Sequence, residues 1–184
     1  MDQEIEKLKT DIFSNDKEKM KIATNRIFEI GGRSNIDFLI GLLDQENSRI
    51  RDVVALTFRD NGFNDALEPL FKSITKKEFK GYTGTMVYAL EKLDCSKKFN
   101  ELFDLLFDNS SYEVQNHTLN ILDEQEFEFT KDDLLRIGNK WDGIKEDWDK
   151  INHIDSNNLK DYDLHRGVIQ DFVDGYMSYL EKSE

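Results

Sequence analysis

Apolar side chains recur along this chain at the spacing of one helix face, and that pattern itself returns about every thirty residues. Four segments share it, and they begin at Met20, Ile50, Tyr82 and Val114. Their first residues lie 30, 32 and 32 positions apart. Within each segment the apolar or small residues fall mostly at positions zero, four or five, and seven to eight. This spacing predicts four helices that each bury one face.

Three further segments, at 36–43, 66–74 and 99–107, lie between these helices and show apolar residues at i, i+3, i+4 and i+7. The chain therefore alternates two kinds of amphipathic helix. A single helix pair cannot bury its apolar stripe alone, so successive pairs must stack on one another. The pattern predicts an all-α fold of about five stacked helix pairs, in which the second helix of each pair lines a concave wall.

The last third of the chain departs from the repeat. Apolar residues spaced three and four apart predict one long helix with a continuous seam, formed by Leu134, Ile137, Trp141, Ile144, Trp148 and Ile151. A polar connector at 153–158 precedes a final helix with one apolar side, formed by Val168, Ile169, Phe172, Val173, Tyr176 and Leu180. We expect this helix pair to cap the open end of the stack, with both tryptophans in its core.

One repeat resembles a known family. Residues 50–58, which include Arg51 and close at Gly62, resemble the second helix of a HEAT repeat, and 66–71 with its internal Pro69 resembles the first helix of the next. The similarity covers roughly residues 16–125, and residues 84–95 resemble small bacterial HEAT-like proteins. The arginine typical of the repeat occurs only at Arg51, because Lys21, Thr83 and Gln115 stand at the equivalent positions.

This resemblance implies a right-handed α-α superhelix of the armadillo type. We expect a single α-solenoid domain over residues 1–184, with HEAT-like repeats at 1–127 and the capping helix pair at 128–184. The resemblance also implies a role in protein–protein interaction. HEAT-like proteins of this class share no set of catalytic residues, so it points to no catalytic residue in this chain.

Charge is unevenly distributed along the sequence. The chain carries a net charge of −13. Residues 1–95 hold 17 acidic and 15 basic side chains, a balance of −2, whereas residues 96–184 hold 21 acidic and 10 basic, a balance of −11. Such a field repels nucleic-acid phosphates and attracts cationic partners, although an acidic balance is also ordinary for soluble bacterial proteins.

No pattern in the sequence indicates catalysis. The three histidines, His117, His153 and His165, lie in different elements and form no metal-binding spacing. The single cysteine, Cys95, has no neighbouring histidine or second cysteine, so we expect a half-buried structural thiol. The glycines Gly31 and Gly32 end a helix and form no phosphate-binding loop. We therefore expect no enzyme activity, no metal and no cofactor.

The start of the chain is charged and lacks the apolar stretch of a signal peptide, and no run of about eighteen apolar residues occurs. Together with the lone cysteine, this predicts a cytoplasmic protein with no membrane span.

The predicted concave face supplies the candidate binding residues. Positions two, six and nine of the repeat should point away from the core, and the selected side chains are Arg26, Asp52, Leu56, Arg59, Tyr88, Glu91, Asn120 and Asp123. Leu56 and Tyr88 are apolar or aromatic where a solvated face would be polar, which suits interface anchors, although Leu56 could equally be packed by a neighbouring helix. Position nine alternates in sign through Glu29, Arg59 and Glu91, which predicts an ion-pair ladder between repeats.

These features predict a monomeric, non-enzymatic module that binds another, basic protein through its concave face and acidic C-terminal half. An immunity or inhibitor protein that neutralises a basic toxin is one form of this hypothesis. The alternative is a HEAT-like enzyme, of the DNA-alkylation-repair or bilin-lyase type. Base excision needs a cationic groove for the duplex, whereas the inner stripe is predominantly acidic, so no nucleic-acid partner is expected.

Overall fold

The computed structural model describes residues 2–108, 111–148 and 159–181, and for residues 2, 159–165 and 181 it describes the backbone alone. Within these ranges every regular element is helical, which confirms the all-α class. The α-helices are α1 (Asp2–Ile12), α2 (Lys17–Ile30), α3 (Arg33–Leu42), α4 (Ser48–Asp60), α5 (Leu67–Ile74), α6 (Gly84–Leu90), α7 (Phe99–Asp108), α8 (Tyr112–Glu124), α9 (Lys131–Ile144) and α10 (Leu159–Glu181). Short 3-10 helices occupy Asn64–Ala66, Lys77–Phe79 and Lys145–Asp147.

The contacts divide the chain into two compact units, Met1–Asp94 and Cys95–Glu184, here called unit 1 and unit 2. The single solenoid domain over 1–184 and its superhelical hand remain predictions.

In unit 1, α4 is the central helix. It packs against α2, α3 and α6, while α1 packs on α2 and α5 on α6. One side of α4 is fully enclosed, with Val54, Ala55 and Phe58 completely buried. The Phe58 ring lies 6.1 Å from that of Phe28 and 5.4 Å from that of Phe63. The helices expected at Met20 and Ile50 are thus present, and both of these residues are buried.

The third repeat begins later than the sequence predicts. Tyr82 is 68% exposed and lies in the turn before α6, which starts at Gly84. The apolar stripe of this repeat instead begins with the fully buried Met86 and Val87. The correction follows from the short 3-10 helix Lys77–Phe79, which places Phe79 in the core and leaves Tyr82 outside.

The repeat spacing of the sequence reappears in the hydrogen bonds of unit 1. Four bonds join groups 30 to 32 positions apart. They run from Ser73 Oγ to the Leu43 carbonyl, from Thr57 Oγ1 to Asn25 Oδ1, from Arg51 Nη2 to the Tyr82 carbonyl, and from the Asp94 N–H to Asn64 Oδ1. Each bond satisfies a polar group of one helix pair with a partner from the next, so neighbouring pairs are fixed in register.

Unit 2 is built around aromatic side chains. α7 packs against α8 and α9, and α9 packs against α10. The Phe107 ring stacks on Trp141 at 5.6 Å, and Trp141 meets Trp148 edge to face at 5.3 Å. Both tryptophans are 1% exposed, and the Trp141 Nε1–H donates to Gln170 Oε1 at 2.6 Å. The tryptophans therefore belong to the core of unit 2, as expected.

The seam helix is shorter than predicted, because α9 ends at Ile144 and the chain continues as a 3-10 helix. Trp148 nevertheless reaches the core, while Ile151 and the connector 153–158 lie outside the described residues. On α10, Ile169 and Val173 are buried, but Val168 is 36% exposed and does not belong to the apolar side. Whether α9 and α10 act as a cap stays a prediction.

Candidate functional site

Two of the predicted concave-face residues meet in unit 1. The Arg59 guanidinium lies over the Tyr88 ring, 4.1 Å from its centroid, and also pairs with Asp60 at 3.1 Å. Both Arg59 and Tyr88 are half-buried. Their stack is a cation–π contact between α4 and α6, so the arginine is held in place before any partner arrives.

Arg26 lies on the exposed side of α2. Its Nη1 atom is 3.2 Å from Glu29 Oε2, and its Nε atom is 3.5 Å from Glu4 Oε1. The hydrogen bond to Glu29, followed by the charge of Glu4, raises the pKa of Arg26 above its usual value. The Glu29–Arg59 step of the predicted ladder is therefore wrong, whereas the step from Arg59 to Glu91 stays a prediction. Glu29 instead pairs with Arg26, three residues earlier on the same helix, where the two side chains are neighbours.

The remaining candidates of unit 1 are only partly accessible. Asp52 and Leu56 lie one turn apart on α4, and Glu91 directly follows α6; all three are half-buried. Half-burial agrees with either interpretation of Leu56, as an anchor or as a packed side chain.

Asn120 and Asp123 belong to unit 2 and are both exposed on α8. Asp123 borders a groove of about 780 Å³. The groove lies between the C-terminal end of α8, the segment 125–129 and α10. Its lining consists of Leu122, Asp123, Gln125, Glu126, Phe127, Phe129, Asp171, Phe172, Gly175, Tyr176 and Tyr179. We call it the aromatic groove.

The aromatic groove is anchored by Tyr176. Its hydroxyl donates to the Leu122 carbonyl at 3.0 Å, which ties α10 to the end of α8. Burial, assisted by Tyr179 and Asp123, raises the pKa of Tyr176 to about 12. The Phe129 ring meets Tyr176 at 5.8 Å and Tyr179 at 5.6 Å, edge to face in both cases. The rings therefore form a continuous packed wall, and Tyr179 remains 50% exposed on it.

The charges in the aromatic groove are all negative. Its ionisable carboxylates are Asp123, Glu126 and Asp171, and no lysine, arginine or histidine is among the lining residues. Over the described part of the chain, none of these three carboxylates forms an ion pair.

Two aspartates of α7, by contrast, are neutralised by basic residues of α9. Arg136 Nη2 lies 2.6 Å from Asp104 Oδ2, and Lys140 Nζ lies 2.9 Å from Asp104 and 2.8 Å from Asp108. Arg136 and Lys140 are one turn apart on α9, and Asp104 and Asp108 are one turn apart on α7. Each helix therefore presents two successive charges to the other. Arg136 and Lys140 are thus engaged with α7 and do not border the aromatic groove.

Sequence reasoning found Asp123 but missed the rest of the aromatic groove. The signal that could have indicated it is the alternation of carboxylates and rings in Glu126, Phe127, Glu128 and Phe129. Aromatic side chains in a connecting segment either pack into the core or form an exposed apolar surface. Here Phe99 stacks on Phe129 at 4.8 Å, so the connector does both.

The described cysteine and histidine side chains belong to no metal-binding group. Cys95 is completely buried, rather than half-buried as expected, and its N–H donates to Gln125 Oε1 at 2.9 Å. His117 is half-buried, whereas the side chains of His153 and His165 lie outside the described residues. Where side chains are described, no group of three histidine, cysteine or acidic residues is arranged to hold a metal ion. No described helix combines the length and apolar character needed to cross a bilayer.

Comparison with protein-family models, curated proteins and solved structures returns no match.

Proposed function

We propose that this chain is a non-enzymatic, HEAT-like protein-interaction module that binds a basic partner protein, with the aromatic groove of unit 2 as its principal contact. We further propose that the chain is monomeric and acts as an immunity or inhibitor protein. The resemblance of residues 50–71 to a HEAT repeat supports the class of function. The negative charge of the aromatic groove supports a positively charged partner.

The observation that supports this most directly is the set of unpaired carboxylates at Asp123, Glu126 and Asp171. The basic residues Arg136 and Lys140 of unit 2 neutralise Asp104 and Asp108 instead. Carboxylates left without cations beside an apolar wall favour a ligand that brings both positive charge and apolar surface. A net charge of −11 over residues 96–184 also accelerates the approach of a cationic protein.

The same charges argue against nucleic acid as the partner. A duplex is held by lysine and arginine contacts to phosphates, and each contact adds to the salt dependence of binding. The aromatic groove offers none. In unit 1, Arg26 and Arg59 are engaged with Glu29 and Tyr88.

The test is capture from an extract of the source cells by the immobilised full-length chain, followed by direct titration with the purified captured protein. We expect one basic protein, with a Kd that weakens as salt rises. The groove variant replaces three carboxylates by amides, in Asp123→Asn, Glu126→Gln and Asp171→Asn. Its matched control removes the same charge at exposed positions outside the groove, in Glu113→Gln, Asp132→Asn and Glu146→Gln.

We expect the groove variant to lose at least about tenfold in affinity, equivalent to about 1.4 kcal/mol, and the control to lose less. Capture of acidic proteins only, or of none, contradicts the proposal. So does tight binding of a labelled DNA duplex at low salt.

A further inference from the structure

The face of α10 that borders the aromatic groove has a gap at its centre. Asp171, Phe172, Gly175, Tyr176 and Tyr179 fall on one side of the helix, at the spacing i, i+1, i+4, i+5 and i+8. A Cβ atom added at Gly175 would meet no heavy atom within 4 Å. The side chains of this face are thus interrupted at Gly175, and we call this open position the slot.

The walls around this slot have two chemical characters. Aromatic surface comes from Phe172, which is half-buried, and from Tyr179, which is 50% exposed. Negative charge comes from Asp171 on α10 and from Asp123 across the groove. A side chain that is long, planar and positively charged matches both of these characters.

We propose that the slot over Gly175 receives an arginine side chain of the basic partner, with the guanidinium stacked on the aromatic wall and donating to the groove carboxylates. The identity of the partner as a basic protein rests on the function proposed above. Arginine fits better than lysine because the guanidinium is planar, stacks on aromatic faces and presents several donors in a fixed fork. An ammonium group is a compact, strongly hydrated charge that gains less from the wall.

Gly175 allows the slot to be filled without disturbing the fold. Its backbone is helical and its surroundings are open, so Gly175→Leu adds a side chain to the groove while it raises the helix propensity of α10. Gly167 provides the control. It lies on the same helix, its added Cβ would also meet nothing within 4 Å, and it does not border the groove.

The probe is N-acetyl-arginine N-methylamide, followed by amide chemical-shift changes in the full-length chain. N-acetyl-citrulline N-methylamide has nearly the same shape without the charge, and the lysine analogue has the charge without the planar fork. We expect arginine to bind with a Kd on the order of 1 mM and to shift the amides near 175 and 179. Binding should fall at least about tenfold in Gly175→Leu and stay unchanged in Gly167→Leu. Thermal melts establish that both variants are folded.

Equal binding of citrulline, tighter binding of the lysine analogue, or undiminished binding by folded Gly175→Leu would each overturn the assignment. The two proposals fail separately. If Gly175→Leu still holds the captured basic protein at full affinity, the slot is not an arginine site but the function stands. If no basic protein is captured, the function falls, and the probe titration decides the slot by itself.

Discussion

Replacing Arg51 with alanine should destabilise unit 1 by about 3 kcal/mol, although the residue is remote from the aromatic groove. Arg51 is 1% exposed, and its guanidinium lies 3.9 Å from the centroid of the Phe79 ring. Nη1 donates to the carbonyls of Gln45 at 2.6 Å and Glu46 at 2.9 Å, and Nη2 donates to the carbonyl of Tyr82 at 3.2 Å. One side chain thus joins the turn before α4 to the turn before α6.

The magnitude follows from these contacts. Three hydrogen bonds from a charged donor contribute about 1.5–3 kcal/mol each, hence about 4.5–9 kcal/mol if they are additive. Two features reduce this sum. Burial lowers the pKa of Arg51 because the charged form is desolvated, and its Nε is buried with no hydrogen-bond partner among the described residues. Because the bonds of one side chain are not additive and Nε has no such partner, we take a net contribution near 3 kcal/mol, the low end of the cost of about 3–5 kcal/mol for removing one partner of a buried charged pair.

The assay is urea unfolding followed by far-ultraviolet circular dichroism, with hydrogen exchange of the α4 amides as a local measure. Both tryptophans are in unit 2, so tryptophan fluorescence reports that unit separately. The matched control is Arg49→Ala, since Arg49 is exposed on the same helix. Arg51→Lys should fall between the two, because one ammonium cannot reproduce donors to both turns. A difference between Arg51→Ala and Arg49→Ala below about 0.5 kcal/mol would refute the reasoning.

Two further predictions concern unit 2. Gly167→Ala, on an open helix surface, should stabilise the fold by about 0.5–1 kcal/mol. Gly138→Ala should show no such gain in stability, because its Cβ would lie 2.9 Å from Met177 Sδ and Cε. Denaturant unfolding of both variants checks this, and equal gains would show that Met177 yields freely. The Tyr176 phenol, whose pKa rises from 10.0 to about 12, favours the folded state while protonated. Its contribution should be complete below pH 10 and lost as the pH rises towards 12, relative to Tyr176→Phe. Tyrosinate absorbance measures this directly, and a midpoint near 10 would contradict it.

The sequence by itself determined the helical class and the repeat. Apolar spacing within a helix is a local property, because residues three and four apart share a face whatever the helix packs against. For this reason the helices around Met20, Ile50 and Val114 were predictable, and the spacing of about 30 residues recurs in hydrogen bonds such as that from Ser73 to Leu43. The start of the helix after Tyr82 was not predictable, because the 3-10 helix Lys77–Phe79 and the burial of Phe79 determine where it begins.

Only the tertiary structure decided which charges are free and where a groove opens. Composition shows that residues 96–184 are acidic, but it cannot show that Asp104 pairs with Arg136 while Asp123 faces an unfilled groove. The groove joins Leu122–Phe129 to Asp171–Tyr179, stretches about fifty residues apart along the chain. Packing of α10 against the end of α8 brings them together, and the periodicity of either segment alone does not encode that approach, because pairing between distant segments depends on the whole set of buried contacts.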